Sequence, residues 1–150
     1  MRTRIKIAFA CYLFIGLASI VFGVRYILAS QIMPYHQEVV GGKWADLSPR
    51  IQKFLLAQLH SAGVSMVLIG TLVLILLLIP FRRGEVWSRW ALAVLCVPGQ
   101  LAVLYFALDL HLSTQASTPW PLFLFSTALV LAAMALSIER SSEAGSSTSR

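Results

Sequence analysis

The chain has 150 residues, of which 58% are hydrophobic and only 12% are charged, with 12 Lys and Arg against 6 Asp and Glu. An ordinary soluble domain carries about 25% charged residues, and so few polar groups do not suffice to cover such an apolar chain. The composition therefore excludes a disordered chain, a disulfide-rich secreted scaffold and a cytosolic enzyme, and it indicates a membrane protein.

Four stretches of the chain contain no charged residue, at 7–24, 54–79, 90–108 and 110–138. A helix needs about 20 apolar residues to cross a hydrocarbon layer of about 30 Å. Open strands are excluded because their unpaired backbone groups cannot face lipid, and no stretch alternates as a barrel strand does. The sequence predicts an all-α, antiparallel four-helix membrane bundle. Its spans lie at about 5–28, 49–79, 86–112 and 119–138, within one domain over residues 1–140.

The first span follows a basic start that also resembles the n-region of a signal peptide. A cleavable apolar region is usually about 7–15 residues long and ends in a site of small residues. This run is longer, and residues 25–31 provide only a poor site. We therefore expect an uncleaved first helix. Cys11 in this span and Cys96 in the third are expected to be buried thiols, because no Cys-x-x-Cys pair is present.

Small residues recur at helical spacing in the first two spans, as Gly16, Ser19 and Gly23 and then as Gly63 and Gly70. Small side chains let helix backbones approach closely in lipid. A chain with four spans has its own seams to fill, so we expect these residues to pack within one molecule rather than between copies.

The connections follow from proline and glycine. Residues 29–53 are predicted to form an outer cap, and Ser48 is predicted to be the N-cap of the second span. Residues 80–85 predict a tight turn that makes the second and third spans antiparallel neighbours. Pro98 and Gly99 are expected to kink the third span, with Gln100 bonding the freed carbonyls.

Thr118 is the predicted N-cap of the fourth span. The Ser- and Gly-rich tail at 141–150 is predicted to be disordered. With the N-terminus in the cytoplasm, eight basic residues lie inside and four outside, and positive charge is concentrated on the cytoplasmic side of membrane proteins. Both termini are therefore predicted to be cytoplasmic. The inside set is Arg2, Arg4, Lys6, Arg82, Arg83, Arg89, Arg140 and Arg150, and the outside set is Arg25, Lys43, Arg50 and Lys53.

Polar and ionisable side chains gather at the predicted outer ends of the spans, where they could line a pocket. These are Arg25, Tyr35, His36, Glu38, His60, Tyr105, Asp109 and His111. His36, His60 and His111 are of a type that binds zinc or another divalent metal, and His60 and His111 could hold a haem between them. The spacing is unspecific, because Asp109 and His111 point about 200° apart on one helix.

The alternative interpretation is a polar collar at the membrane interface, where histidine, tyrosine and tryptophan are commonly placed. Arg25 and Asp109 could then form an ion pair. The polar collar is the favoured interpretation, so no cofactor is predicted. Binding of haem or of a divalent metal is the alternative. A pocket for a small ligand or lipid head group is a further alternative.

Four motifs resemble small uncharacterised bacterial inner-membrane proteins. They read MPYH at 33–36, GKWADLSP at 42–49, PFRRGEVWSRW at 80–90 and TPWP at 118–121. The hydropathy profile is also loosely similar to the DoxX-like four-helix families. The resemblance implies a four-helix architecture and a bacterial envelope location, and it implies no activity.

The sequence leaves three functional hypotheses. The first is a non-catalytic envelope protein that acts through lipid contacts or through a partner, either a second copy or another membrane protein. The second is the metal- or haem-binding module, and the third is an enzyme whose Arg25, His60 and Asp109 converge on a lipid or quinone head group. Motifs of hydrolases, P-loops and dinucleotide sites are absent, which disfavours an enzyme. The basic residues are not interleaved with aromatic ones, so no nucleic-acid partner is expected.

Overall fold

The computed structural model describes residues 3–138, and long helices dominate this part of the chain. The elements are α1 (Thr3–Ile27), α2 (Pro34–Val40), a short 3₁₀ turn (Trp44–Asp46), α3 (Pro49–Leu76), α4 (Val86–Thr114) and α5 (Trp120–Ile138). A π-helical turn, Leu77–Phe81, extends α3. Four helices are long and apolar enough to cross a membrane. The predicted all-α bundle with four spans is confirmed, and the predicted tail at 141–150 lies outside the described residues.

The outer surface of the bundle is apolar. Only 22–28% of the most apolar window of each span is buried inside the protein. Val21, Leu68, Val94 and Phe106, on three different helices, are 61–72% exposed. Exposure of a continuous apolar surface of this extent is unfavourable in water, whereas contact of such a surface with lipid is not. The protein is a multi-pass membrane protein.

The bundle consists of two antiparallel hairpins, α1 with α3 and α4 with α5, which are joined mainly by contacts between α1 and α5. We call the end that carries α2 and the 3₁₀ turn the cap end, and the end that carries residues 82–85 the turn end. The short turn was expected to make α3 and α4 close neighbours. The two helices instead make few contacts with each other, because α3 packs along α1.

The connection between α3 and α4 is a tight turn, as predicted. Pro80 has no N–H to continue the α-helical pattern, and it lies within the π-helical turn. Gly84 adopts a φ of 81°, which side chains with a Cβ disfavour. The Glu85 N–H then donates to the Pro80 carbonyl at 3.1 Å, which closes the turn.

The backbones of α1 and α3 approach closely at glycine. A Cβ added to Gly23 would lie 2.6 Å from the Gly63 carbonyl oxygen, and one added to Gly63 would lie 2.7 Å from that of Gly23. At a second level, a Cβ on Gly70 would lie 2.7 Å from the Gly16 carbonyl oxygen. The expectation that these small residues pack within one molecule is confirmed. We call this contact the glycine seam.

The packed core lies toward the turn end. Tyr12, Leu77, Leu92 and Val130 come from the four spans, and each has no exposed surface. The Phe81 ring packs edge-on against Tyr12, with 6.4 Å between ring centroids. Both cysteines are free, as expected, with Cys96 buried and Cys11 half-buried.

One predicted N-cap is confirmed and the other differs from expectation. Ser48 is the N-cap of α3, with Pro49 in the first turn, although its side chain forms no capping hydrogen bond. The Thr118 hydroxyl donates to the Ala107 carbonyl of α4 at 3.0 Å, which ties the start of α5 to its hairpin partner. Thr118 is therefore a link between helices and not a cap, because α5 begins only at Trp120.

We predict that Gly63→Ala destabilises the bundle by about 1–3 kcal/mol, because the new methyl group collides with the α1 backbone and overpacking carries a cost of this size. Gly99→Ala is the matched control, since a Cβ at Gly99 meets nothing within 4 Å. Thermal unfolding in detergent measures both variants. An equal midpoint for Gly63→Ala and Gly99→Ala would show that the glycine seam does not limit helix packing.

Candidate functional site

The cap end is held together by hydrogen bonds between side chains and the backbone. The Tyr26 and Tyr35 hydroxyls lie 2.7 Å apart, which joins α1 to α2. Gln37 accepts a hydrogen bond from the Trp44 N–H at 3.0 Å. Gln52 donates from α3 to the Trp44 carbonyl at 2.7 Å. The predicted outer cap therefore has a defined structure, which includes the seven-residue helix α2 that the sequence analysis did not predict.

Glu38 joins the cap to the opposite hairpin. Its Oε2 accepts a hydrogen bond from the Ser117 N–H at 2.6 Å, in the loop between α4 and α5. A hydrogen bond to a charged acceptor is roughly twice as strong as a neutral one. This bond closes the ring of connections at the cap end, so the Glu38 carboxylate has a structural partner.

Two of the three predicted histidine ligands are bound to nearby carbonyls. The His60 Nε2 lies 2.9 Å from the Ala29 carbonyl oxygen, at the end of α1. The His111 Nδ1 lies 2.9 Å from the Ala116 carbonyl oxygen, and its ring faces Trp120 with 6.1 Å between centroids. The Ala116 carbonyl also accepts from the Thr118 N–H at 2.8 Å. Both imidazoles therefore bond carbonyls that lie outside the helices, which is a structural role.

The remaining predicted site residues do not converge. Arg25 and Asp109 are both exposed, and within residues 3–138 they form no ion pair with each other. Tyr105 is 64% exposed and packs against Phe106, with 5.5 Å between ring centroids. The expected ion pair is therefore absent, and Arg25, His60 and Asp109 share no hydrogen bond that would build a catalytic group.

The predicted metal-binding histidines lie on three different helices. Across residues 3–138, no three His, Cys, Asp or Glu side chains come together as a metal ion requires. His60 uses Nε2 to bond the Ala29 carbonyl after α1, and His111 uses Nδ1 to bond the Ala116 carbonyl in the loop that follows α4. The polar residues at the cap end therefore form a collar of local contacts, and they do not meet around one centre.

His36 and Tyr35 on α2 are partly removed from water. Their rings lie 4.1 Å apart, and the His36 imidazole forms no hydrogen bond with the described residues. Burial lowers the pKa of His36. Burial, with a smaller effect of the Tyr26 hydroxyl, raises the pKa of Tyr35. Both side chains are therefore stabilised in their neutral forms.

A cavity of about 330 Å³ lies beneath α2 at the cap end. Of the predicted site residues, only His36 lines it, together with Tyr26 and mostly aliphatic side chains of α2 and α3. Such a lining has no fixed charge to pair with a lipid head group. This cavity beneath α2 therefore gives little support to the predicted pocket for a lipid head group.

A second cavity, of about 210 Å³, lies between the spans, and residues of α1, α3, α4 and α5 all line it. We call it the midspan cavity. It occurs where α3 and α4 make few contacts with each other. Ile15, Val73 and Cys96 belong both to its lining and to the packed core, so the core forms its floor on the side of the turn end.

The polar groups of the midspan cavity come from three helices. Ser19 lies on α1, Gln100 on α4 and Ser126 on α5, and the rest of the lining is apolar apart from Cys96. The Ser126 hydroxyl donates to Gln100 Oε1 at 2.9 Å. The expectation that Gln100 bonds carbonyls freed by Pro98 is therefore wrong, because its side chain reaches α5.

Gly99 helps to keep this cavity open. It lines the cavity, and a Cβ at this position would meet nothing within 4 Å. Glycine within a helix costs about 0.5–1 kcal/mol relative to alanine, and no close packing or turn requires it here. The sequence signal was present in Pro98-Gly99-Gln100, but it was interpreted as a kink.

No protein-family model, no curated protein and no solved structure matches this chain. Side chains from all four spans line the midspan cavity, which adjoins the packed core to which all four spans also contribute.

We predict that the docking of α2 weakens as the pH falls. The pKa of His36 is lowered in the folded protein, so its contribution to stability is complete above the ordinary value of about 6.5 and is lost as the pH falls through the lowered folded-state value. Amide exchange of residues 34–40, corrected for intrinsic rates, should accelerate between about pH 7.5 and about pH 5. His36→Gln cannot titrate, and an equal acceleration in this variant would refute the assignment to His36.

We predict that His60 acts as a structural link. His60→Ala should destabilise the protein by about 1 kcal/mol, because the Ala29 carbonyl loses its partner. Excess EDTA should leave the unfolding midpoint unchanged, and the absorption spectrum of the purified protein should show no Soret band. A midpoint that falls with EDTA in the wild type and not in His60→Ala would instead indicate a metal at this position.

Proposed function

We propose that this protein is a non-catalytic protein of the bacterial inner membrane that binds an uncharged, lipid-soluble molecule in the midspan cavity. The supporting observation is the cavity itself, about 210 Å³ in volume and lined by all four spans. Packed helices leave few voids, and most ligand sites are concave and mostly apolar. Because every span contributes side chains to its lining, this cavity is the strongest candidate for a ligand-binding site that requires the whole bundle.

The cavity volume is suited to a small ligand or to part of a larger one. An apolar cavity of about 150 Å³ holds a molecule of benzene, so the midspan cavity has room for one ring with substituents or for a segment of an aliphatic chain. Its polar groups are neutral, so a charged ligand would lose its hydration without gaining an ion pair. These features favour an uncharged molecule dissolved in the bilayer.

The distribution of basic residues supports the proposed orientation. Among the described residues, five basic residues lie at the turn end and four at the cap end, with one acidic residue, Glu85, at the turn end and three at the cap end. The net positive charge is therefore larger at the turn end, and positive charge is concentrated on the cytoplasmic side of membrane proteins. The turn end is then cytoplasmic and the cap end faces the opposite side. The resemblance to small bacterial inner-membrane proteins agrees with this placement.

Photolabelling in lipid vesicles tests the proposed function. The probe is an aliphatic diazirine with a hydrocarbon tail, and mass spectrometry locates the adducts. Adducts at Met66 and Leu95, which line the cavity, should saturate as the probe concentration rises. Adducts at Leu68 and Val94, which are 65% and 72% exposed outside it, should rise in proportion to the probe. Proportional labelling at all four positions would contradict a binding site.

A cavity-filling variant provides the control. Gly99→Leu places a side chain in open space beside the cavity and should abolish the saturable adducts without unfolding the protein. Ala102→Leu adds the same group to an exposed position of α4 outside the lining and should leave the saturable adducts in place.

A further inference from the structure

The midspan cavity contains a hydrogen-bond donor without a partner. The Ser126 hydroxyl lies 2.9 Å from Gln100 Oε1 and 3.0 Å from the Phe123 carbonyl oxygen, so its single proton is shared between these two acceptors, and the contact with Oε1 orients the amide. The Nε2 of the same amide forms no hydrogen bond with any of residues 3–138. The Ser19 hydroxyl lines the cavity from α1, and it too is without a hydrogen bond to the described residues.

The depth of Gln100 makes this arrangement unusual. Gln100 is the central residue of α4 (Val86–Thr114), about 21 Å from either end of the helix at about 1.5 Å per residue. That position lies near the middle of the hydrocarbon layer. Water is scarce there, and a polar group without a partner is destabilising. A donor retained at this depth is explained if a molecule within the membrane accepts its hydrogen bond.

The chemistry of the donor restricts the ligand. The amide nitrogen of glutamine only donates, so the ligand must present an acceptor. A carbonyl oxygen has two lone pairs, and it could accept from Gln100 Nε2 and from the Ser19 hydroxyl together. The remaining lining is aliphatic and aromatic, with Phe14, Phe22 and Phe123 among its residues, which suits an apolar body or tail.

We infer that the midspan cavity selects an uncharged, lipid-soluble carbonyl compound, whose oxygen accepts a hydrogen bond from Gln100 while Ser126 holds the amide in place. This inference rests on the proposed function, because it names the chemical class of the molecule that the same cavity binds. Gln100 is then the residue that determines specificity, and Ser126 is a positioning residue.

Competition between two matched compounds tests this inference. Dodecanophenone and dodecylbenzene share one skeleton and differ in a single carbonyl group, and each competes with the diazirine probe for the saturable adducts at Met66 and Leu95. In the wild type the ketone should compete about tenfold more strongly than the hydrocarbon, the difference expected for one hydrogen bond in an apolar site. Gln100→Met keeps the approximate shape and removes the donor, so the ketone should lose this advantage.

The hydrocarbon supplies the folding control. In Gln100→Met, dodecylbenzene should still compete as in the wild type, which shows that the cavity persists. Gln58→Met, at an exposed position of α3 outside this cavity, should retain the preference for the ketone. Ser126→Ala should reduce the preference, because the amide loses the bond that orients it.

The outcomes separate the two proposals. Equal competition by ketone and hydrocarbon in the wild type, or a preference that persists in Gln100→Met, would overturn the selection of a carbonyl group and leave the cavity as a binding site. Absence of saturable adducts in the wild type would overturn the proposed function together with this inference.

Discussion

The close approach of α1 and α3 is the contact on which the rest of the bundle depends. At Gly23 and Gly63 each backbone occupies the space that a side chain of its partner would need. Nearer the turn end, the Gly16 backbone does the same at Gly70, whereas a Cβ on Gly16 would meet the Leu74 and Val73 side chains. In lipid, such contacts take the place of the hydrophobic effect as the cause of helix association. Because α1 holds α3 on one side and contacts α5 on the other, α3 does not follow α4. The midspan cavity results from this divergence.

The polar side chains at the cap end and those in the middle of the spans differ in how fully the protein satisfies their hydrogen bonds. At the cap end, three side chains bond backbone groups that lie outside the helices: His60, His111 and Glu38. Their role is to hold the loops between the helices in place. Gln100 differs because only its oxygen is used by the protein. Gln100, the side chain that we propose binds the ligand, is therefore not one of the ionisable residues. A neutral amide in the middle of a span can remain without a charge penalty, and its unused donor is still costly enough to need a partner.

The spans and the glycine seam could be predicted because each depends on local composition: long apolar runs determine the helices, and glycines at helical spacing indicate a close contact. Helix α2 was missed because it has only seven residues, and helical periodicity is recognised over a window of about 11–18 residues. The midspan cavity could not be predicted in this way, because the polar side chains that line it carry no charge and the charged residues lie at the ends of the spans. The bond between Ser126 and Gln100 joins residues on different helices, and no spacing along the chain encodes which faces of two spans meet.

The position of the midspan cavity also determines how its occupant is supplied. The packed core closes the side of the turn end, and the cavity is partly open at the depth of the acyl chains. A ligand of the proposed kind would arrive by partition into the bilayer and then by lateral diffusion, and each buried methylene adds about 0.8 kcal/mol to the first step. Occupancy of the proposed site would then follow the mole fraction of ligand in lipid rather than its concentration in water. A site with modest intrinsic affinity can then be filled at very low aqueous concentrations, since the membrane itself acts as the reservoir.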